Sequence, residues 1–206
     1  MRCRELGAIV EVDHFDLREI DQLTSHLQAL DERTPLDLAI FNAGIGGELL
    51  ASDYAETPQR AHEIAMVNFT SPVVSATVLA QMMAQRRRGH IVLLGSVAGH
   101  YPLPMAPTYA GTKAGLAMFA EALRLRLMKY GVAVTLVSPG FIDTPMSRQL
   151  QSPKPFLMNV AAAAASIKKK IARRPARIVV PWQFAVINMA ARFLPQAVIG
   201  AVLRRF

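Results

Sequence analysis

Apolar residues along the chain alternate between short unbroken runs and longer stretches in which they return every third or fourth position. These are the rhythms of buried strands and of one-faced helices. Arg4-Glu5-Leu6 ahead of Gly7 reads as the last turn of a helix with glycine at its left-handed cap. Residues 8–12 read as a strand. Asp16, with Glu19 three positions on, resembles a capping box opening a helix whose apolar face is Ile20, Leu23, Leu27 and Leu30, and Pro35 stops it. Residues 36–41 form a further apolar run ending in Asn42-Ala43-Gly44-Ile45-Gly46-Gly47, a turn open enough for a ligand to approach the main chain.

Thr57-Pro58 supplies an N-cap and first turn for a helical stretch running through Val73, Leu79 and Met83 to Arg86-Arg87-Arg88. Residues 90–94 read as a strand. Residues 108–130 form a helix with Leu116, Phe119, Leu123 and Leu127 on one face and Gly131 as its stop, and 132–137 another strand. Strands that alternate with helices in this way need crossover connections, so the pattern predicts an α/β fold, an open parallel sheet with helices on both faces. The unusual loops, 42–47, 95–107 and 138–146, each follow a strand, at the edge where such sheets bind ligands. Past residue 150 the pattern predicts an alanine-rich helix over 159–171 with a basic end, a short strand over 178–180, and an apolar stripe of Trp182, Val186, Met189 and Phe193.

At 206 residues and 52% apolar, the chain suffices for one domain with its own core, residues 1–206 as a single unit. The single cysteine, Cys3, excludes an internal disulfide and a thiolate zinc cluster, and suits a reducing, cytoplasmic setting. No charged-then-apolar leader opens the sequence, and Pro181, Arg192 and Pro195 interrupt the apolar runs near its end, so no spanning helix is expected. The five histidines, His14, His26, His62, His90 and His100, lack metal-ligand spacing, and no metal is expected. The net charge of +8 is uneven: residues 151–206 carry ten Lys or Arg and no acid, while the other 13 basic residues stand against 15 acidic ones. In that basic region Lys168, Lys169, Lys170, Arg173, Arg174 and Arg177 precede apolar residues 178–184. The segment resembles one that docks on an anionic membrane surface, and reads equally as a solvated basic helix lidding a substrate cleft. Nucleic acid is not expected, because no aromatic residues interleave the cations.

Tyr109-Ala110-Gly111-Thr112-Lys113 places a phenol and an ammonium on one side of a helix. Bringing a phenol from its usual pKa of ~10 toward ~7 takes about 4 kcal/mol, within reach of a neighbouring ammonium together with a cofactor cation in a sheltered site, and such a group can exchange a proton with an alcohol oxygen. The pair alone has a plainer reading, one packed aromatic and one solvated charge. Likewise Asn68 reads as a helix cap or kink, Ser96 as a turn residue and Pro139-Gly140 as a loop dipeptide.

Taken together, Asn42-Ala43-Gly44, Asn68, Gly95-Ser96, Tyr109 with Lys113, and Pro139-Gly140 ahead of Thr144 occur in the order and approximate spacing of the short-chain dehydrogenases/reductases, which residues 3–150 resemble. The resemblance implies a Rossmann-like sheet, an NAD or NADP cofactor and hydride transfer between it and a carbonyl or alcohol. It implies Tyr109 as general acid/base, Lys113 as the residue that lowers its pKa and grips the nicotinamide ribose, Ser96 as the holder of the substrate oxygen, and Asn68 as the keeper of a relay water. It further implies Asp16 near the adenine, Asn42, Ala43 and Gly44 supporting it, and Pro139, Gly140, Ile142 and Thr144 on the nicotinamide side. Leu103, Pro104, Met105, Met146 and Phe156 are expected to border an apolar substrate pocket, and the helix bearing Tyr109 to pair two copies of the chain.

One departure stands against this pattern. The family's glycine-rich turn between its first strand and first helix, which seats the cofactor pyrophosphate, has no counterpart here, since the glycines of 42–47 follow a later strand. Aligned on its remaining elements, the sequence is expected to lack the sheet's first two strands, leaving the edge of 36–41 bare. Residues 8–12 moving alongside, another chain, or a longer parent sequence would each account for that edge, and the helix cap close to Met1 favours the last. The alternative to an enzyme is then a binding or interaction domain without turnover.

Overall fold

The computed structural model describes residues 2–46, 48–49, 52–191, 193 and 200. Its centre is a parallel sheet of four strands in sequential order, β1 (Ala39–Phe41), β2 (Gly89–Leu94), β3 (Val132–Pro139) and β4 (Arg177–Val180). Crossover helices join them: α3 (Pro58–Ala65) and α4 (Ser71–Gln85) between β1 and β2, α5 (Pro107–Leu127) between β2 and β3, and α7 (Val160–Ile171) between β3 and β4. Helix α1 (Arg2–Glu5) and α2 (Ile20–Arg33) precede β1, α6 (Pro145–Arg148) follows β3, and α8 (Gln183–Ala191) follows β4.

β2 and β3 are central and apolar on both faces. Ile91, Leu93, Val134 and Leu136 pack with Leu79, Met83, Leu116 and Ala120 of α4 and α5 on one side, and Val92 and Val137 with Ile171, Ile178 and Val180 on the other. Strands covered on both faces read as continuous apolar runs rather than alternating ones, which is why they were visible in the sequence. Helix α3, its continuation and α4 together are long and apolar enough to cross a membrane by length and composition alone, yet their Ile64, Ala76, Leu79 and Met83 are core.

The expected helix boundaries hold where a cap enforces them. Thr57 accepts a hydrogen bond from the Arg60 amide with Pro58 in the first turn, Asn159 accepts from the Ala162 amide, and Gly131 adopts φ +72°, a left-handed conformation that ends the helical run after Tyr130. Three expectations change. Residues 8–12 pair with no strand: Ile9 is 99% exposed, and the segment is tied by Arg4 to the Val10 carbonyl at 2.9 Å and by Arg33 to Glu11. Among the described residues no strand lies alongside it, so its apolar residues gain nothing from extended pairing. The capping box does not form, because Asp16 turns to Arg18 at 2.6 Å and Glu19 occupies the cap position without a side-chain bond. The helix through Val73 is not uniform either. Residues Met66–Thr70 form a π-helical turn. Pro72 has no N–H to give the Asn68 carbonyl four residues earlier, so the regular α ladder cannot continue there.

The basic run lies away from the loops that follow β1, β2 and β3. Helix α7 runs back along the sheet, so Lys168 to Arg177 sit at the amino-terminal end of β4, opposite those loops. Ile178, Val180 and Phe184 of the expected surface-seeking segment are buried, while Trp182 between them is exposed. Arg192, Pro195 and Gly47 lie outside the described residues.

Candidate functional site

The loops leaving the carboxyl ends of β1, β2 and β3 enclose a cavity of about 1150 Å³. Each loop is fastened to the next. The Glu48 carboxylate accepts from the Gln151 amide at 2.8 Å, the Ser152 amide at 3.3 Å and the Ser152 hydroxyl, and the Leu49 amide donates to the Met105 carbonyl at 2.8 Å. Glu56 accepts from the Thr108 amide and hydroxyl at the start of α5. Because the loops hold one another, the cavity's shape does not depend on a single hinge.

Asn42, Ala43 and Gly44 form one wall, Ser96 and Tyr109 a second, and Gly140, Ile142 and Thr144 a third. Asn68 and Lys113 sit directly behind the first two. Fully buried in the π-helical turn, Asn68 donates from Nδ2 to the Ile45 carbonyl and accepts at Oδ1 from the Ile45 amide, both at 2.8 Å, clamping the turn after β1. Arg60 donates to the Gly46 carbonyl next to it. A Cβ on Gly44 would stand 3.3 Å from Asn68 Oδ1 and 3.6 Å from Lys113 Nζ, so the bare backbone brings this loop against both groups. Ser96 Oγ accepts from the Ala98 amide at 3.1 Å, and Ser96 lines the cavity beside Tyr109, whose pKa it acts to lower.

Lys113 lies one helical turn after Tyr109 with Nζ 5.8 Å from the phenol ring centre, and donates to the Leu94 carbonyl at 2.9 Å. The cation lies over the ring, and burial has the larger effect on both groups: it raises Tyr109 above the usual phenol value, against the opposing effect of Ser96, and lowers Lys113 to about 8.

Not every expected residue joins the site. Asp16 is bound to Arg18, which holds its carboxyl at a pKa of about 2, and it lies outside the cavity lining. Pro139 ends β3 in register with Val180 and supports Gly140 from behind. Leu103, Met105 and Met146 line the cavity. Pro104 faces a separate depression beside Ala110, and Phe156 stacks edge-on against Phe184, 5.6 Å between ring centres, behind the wall. Helix α8 closes the remaining side with Phe184, Ile187 and Ala191, a role that its apolar spacing alone does not reveal. It is latched by a bond of 2.5 Å from the Tyr101 hydroxyl to Asn188 Oδ1, and a Cβ on Gly140 would meet the Phe184 ring at 2.3 Å. That helix puts its inner face on the cavity and leaves Trp182, Val186, Met189 and Phe193 exposed, so the cleft is covered by an apolar helix and not by the basic run.

Comparison with known proteins agrees with this arrangement. Residues 2–155 match the short chain dehydrogenase family, and the chain belongs to it. It is 34% identical over 200 residues, 97% of this chain and 78% of the relative, to an uncharacterized oxidoreductase of Myxococcus xanthus. It is 31% identical over 141 residues, 68% of this chain and 54% of the relative, to the 3-oxoacyl-[acyl-carrier-protein] reductase MabA of Mycobacterium avium. Among solved structures, a bulky-bulky ketone specific alcohol dehydrogenase from Comamonas testosteroni superposes with a TM-score of 0.76 at 25% identity, covering 94% of this chain and 82% of that one. A short-chain dehydrogenase from Sphingobium yanoikuyae in complex with NADPH superposes with a TM-score of 0.79 at 24% identity, covering 95% and 81%, and shares the fold. The fold is thus Rossmann-like, and the chain is an oxidoreductase by family.

Proposed function

We propose that the chain is an NAD- or NADP-dependent oxidoreductase that reduces the carbonyl of a largely apolar substrate in the cavity between α5, α8 and the loops after β1, β2 and β3. The observation that carries this reading is the presence of Ser96 and Tyr109 together on the wall of that cavity, with Lys113 and Asn68 behind them. The residues present fit the nicotinamide half of such a cofactor. Gly44 keeps a cradle open beside Asn68 and Lys113, and Gly140, Ile142 and Thr144 line the far wall, whereas Asp16 pairs with Arg18 outside the cavity lining.

When bound, the cofactor supplies the hydride that joins the carbonyl carbon. Ser96 donates a hydrogen bond to the substrate oxygen. Tyr109, kept protonated at neutral pH by its burial, gives its proton to that oxygen as the carbon–oxygen double bond becomes single. The tyrosinate left behind is stabilised by the ammonium of Lys113 and reprotonated through a water held by the Asn68 carbonyl, which Pro72 denies its α-helical donor. A reducing, cytoplasmic setting accords with the exposed free thiol of Cys3. We also assign the exposed face of α5, with Met118, Leu125 and Met128, to contact between two copies of the chain.

The test is reduction of a panel of apolar ketones with NADH and with NADPH. Turnover that falls by about 10²- to 10⁴-fold in Tyr109→Phe supports the reading, by the usual worth of a positioned proton donor. A chain that turns over none of them, with or without Tyr109, belongs instead to the second reading, a binding domain, which the position of Asp16 outside the cavity favours.

A further inference from the structure

Among the described residues that line the cavity, two carry formal charge, Glu48 and Lys154. Glu48 is occupied by the three donors of Gln151 and Ser152 that tie the loops together. Lys154 differs. Its Nζ donates to the Leu150 carbonyl at 2.7 Å and forms no ion pair among the described residues, so two of its three N–H donors remain for a ligand. The surrounding segment fixes it in place. Pro153 and Pro155, both lining residues, hold the backbone on either side, and Phe156 at φ +56° turns the chain away immediately after. The rest of the wall beyond the phenols and hydroxyls is apolar, with Leu103, Met105, Ile142 and Met146 prominent. An ammonium with donors to spare at an otherwise apolar wall offers charge-assisted hydrogen bonds to an anionic group.

We infer that Lys154 is the specificity residue for an anionic group carried by the substrate, so that this site takes an apolar carbonyl compound ending in a carboxylate or phosphate. The inference rests on the reading of the cavity as the substrate site, and it names the substrate class. An anion here has two sources, the substrate's own end group or a phosphate of the dinucleotide. The structure favours the first, because Lys154 belongs to the loop beyond Leu150, whereas the cradle at Gly44 lies against Asn68 and Lys113.

Calorimetry on the full chain with octanoate, 1-octanol and NADPH as separate probes distinguishes the cases without requiring turnover. Octanoate is expected to bind about tenfold more weakly to Lys154→Gln than to the unaltered chain, the usual loss of a charge-assisted bond, with Lys154→Arg restoring most of it and 1-octanol unchanged. Equal losses for octanoate and 1-octanol, or no change for octanoate, overturn the inference. So does weakened NADPH binding with octanoate unaffected, which assigns the cation to the cofactor. If octanoate binding depends on Lys154 in a chain that reduces no ketone, the anion site stands and the reductase reading falls, so the two failures are separable.

Discussion

Replacing Lys113 by methionine tests the electrostatics of the site without a substrate. The side chain is 4% exposed, and burial brings its pKa from the ordinary 10.5 to about 8. Between those values the unfolded chain holds more protons than the folded one, so the unfolding free energy of the unaltered protein rises with pH across that window. Below pH 8 both states are protonated and this slope vanishes. A shift of that size corresponds to about 3 kcal/mol gained between pH 8 and the upper end of the window. Methionine keeps the length and volume of the stem but carries no charge, so its variant lacks this rise, while the Leu94 carbonyl loses its donor at every pH, costing about 1–3 kcal/mol. Tyr109, whose pKa is raised, contributes a slope of opposite sign above pH 10, which both proteins share and the difference cancels. Urea midpoints measured from pH 7 to 10 are expected to differ by a constant amount below pH 8 and to diverge steadily above it. Parallel stability curves for the two proteins would refute the claim that burial of this ammonium dominates its surroundings.

Asp31, 2% exposed, accepts two bonds from Arg86 at 2.6 and 2.9 Å and one from the Leu36 amide at 2.8 Å, joining the ends of α2 and α4 to the start of β1. Asp31→Ala strands these donors and is expected to cost about 3 kcal/mol in denaturant unfolding, the low end for a buried pair because Arg86 reaches solvent. Gly140→Ala drives a methyl into the Phe184 ring and is expected to lose about 1–3 kcal/mol and to weaken apolar ligands in calorimetry, through displacement of α8. Leu125→Glu on the outer face of α5 is expected to halve the mass seen by light scattering while leaving the thermal unfolding of the single chain nearly unchanged, and an unaltered mass would remove α5 from the interface.

Much of this protein was legible in its residues because the signals are local. β2 and β3 announce themselves as continuous apolar runs. Thr57, Asn159 and Gly131 mark helix ends because a cap is satisfied by atoms within a few positions of it. The helical spacing of Tyr109 and Lys113 placed both side chains on one side of α5, and the glycines after Phe41 marked a loop that a ligand can approach. What the residues could not convey depends on partners far away in the chain. Whether residues 8–12 become a strand rests on a neighbour to pair with, and none lies beside them. Asp16 meets Arg18 instead of a helix end because a bidentate ion pair two positions away is the stronger bond. The pKa directions of Tyr109 and Lys113 follow from burial, a property of the packed whole, while sequence spacing reports only that two groups are near. The closure of the cavity by α8 and the isolation of Lys154 likewise arise where segments distant in sequence meet. Periodicity and caps set the elements, and the packing of those elements decided which groups share a site and in what protonation state.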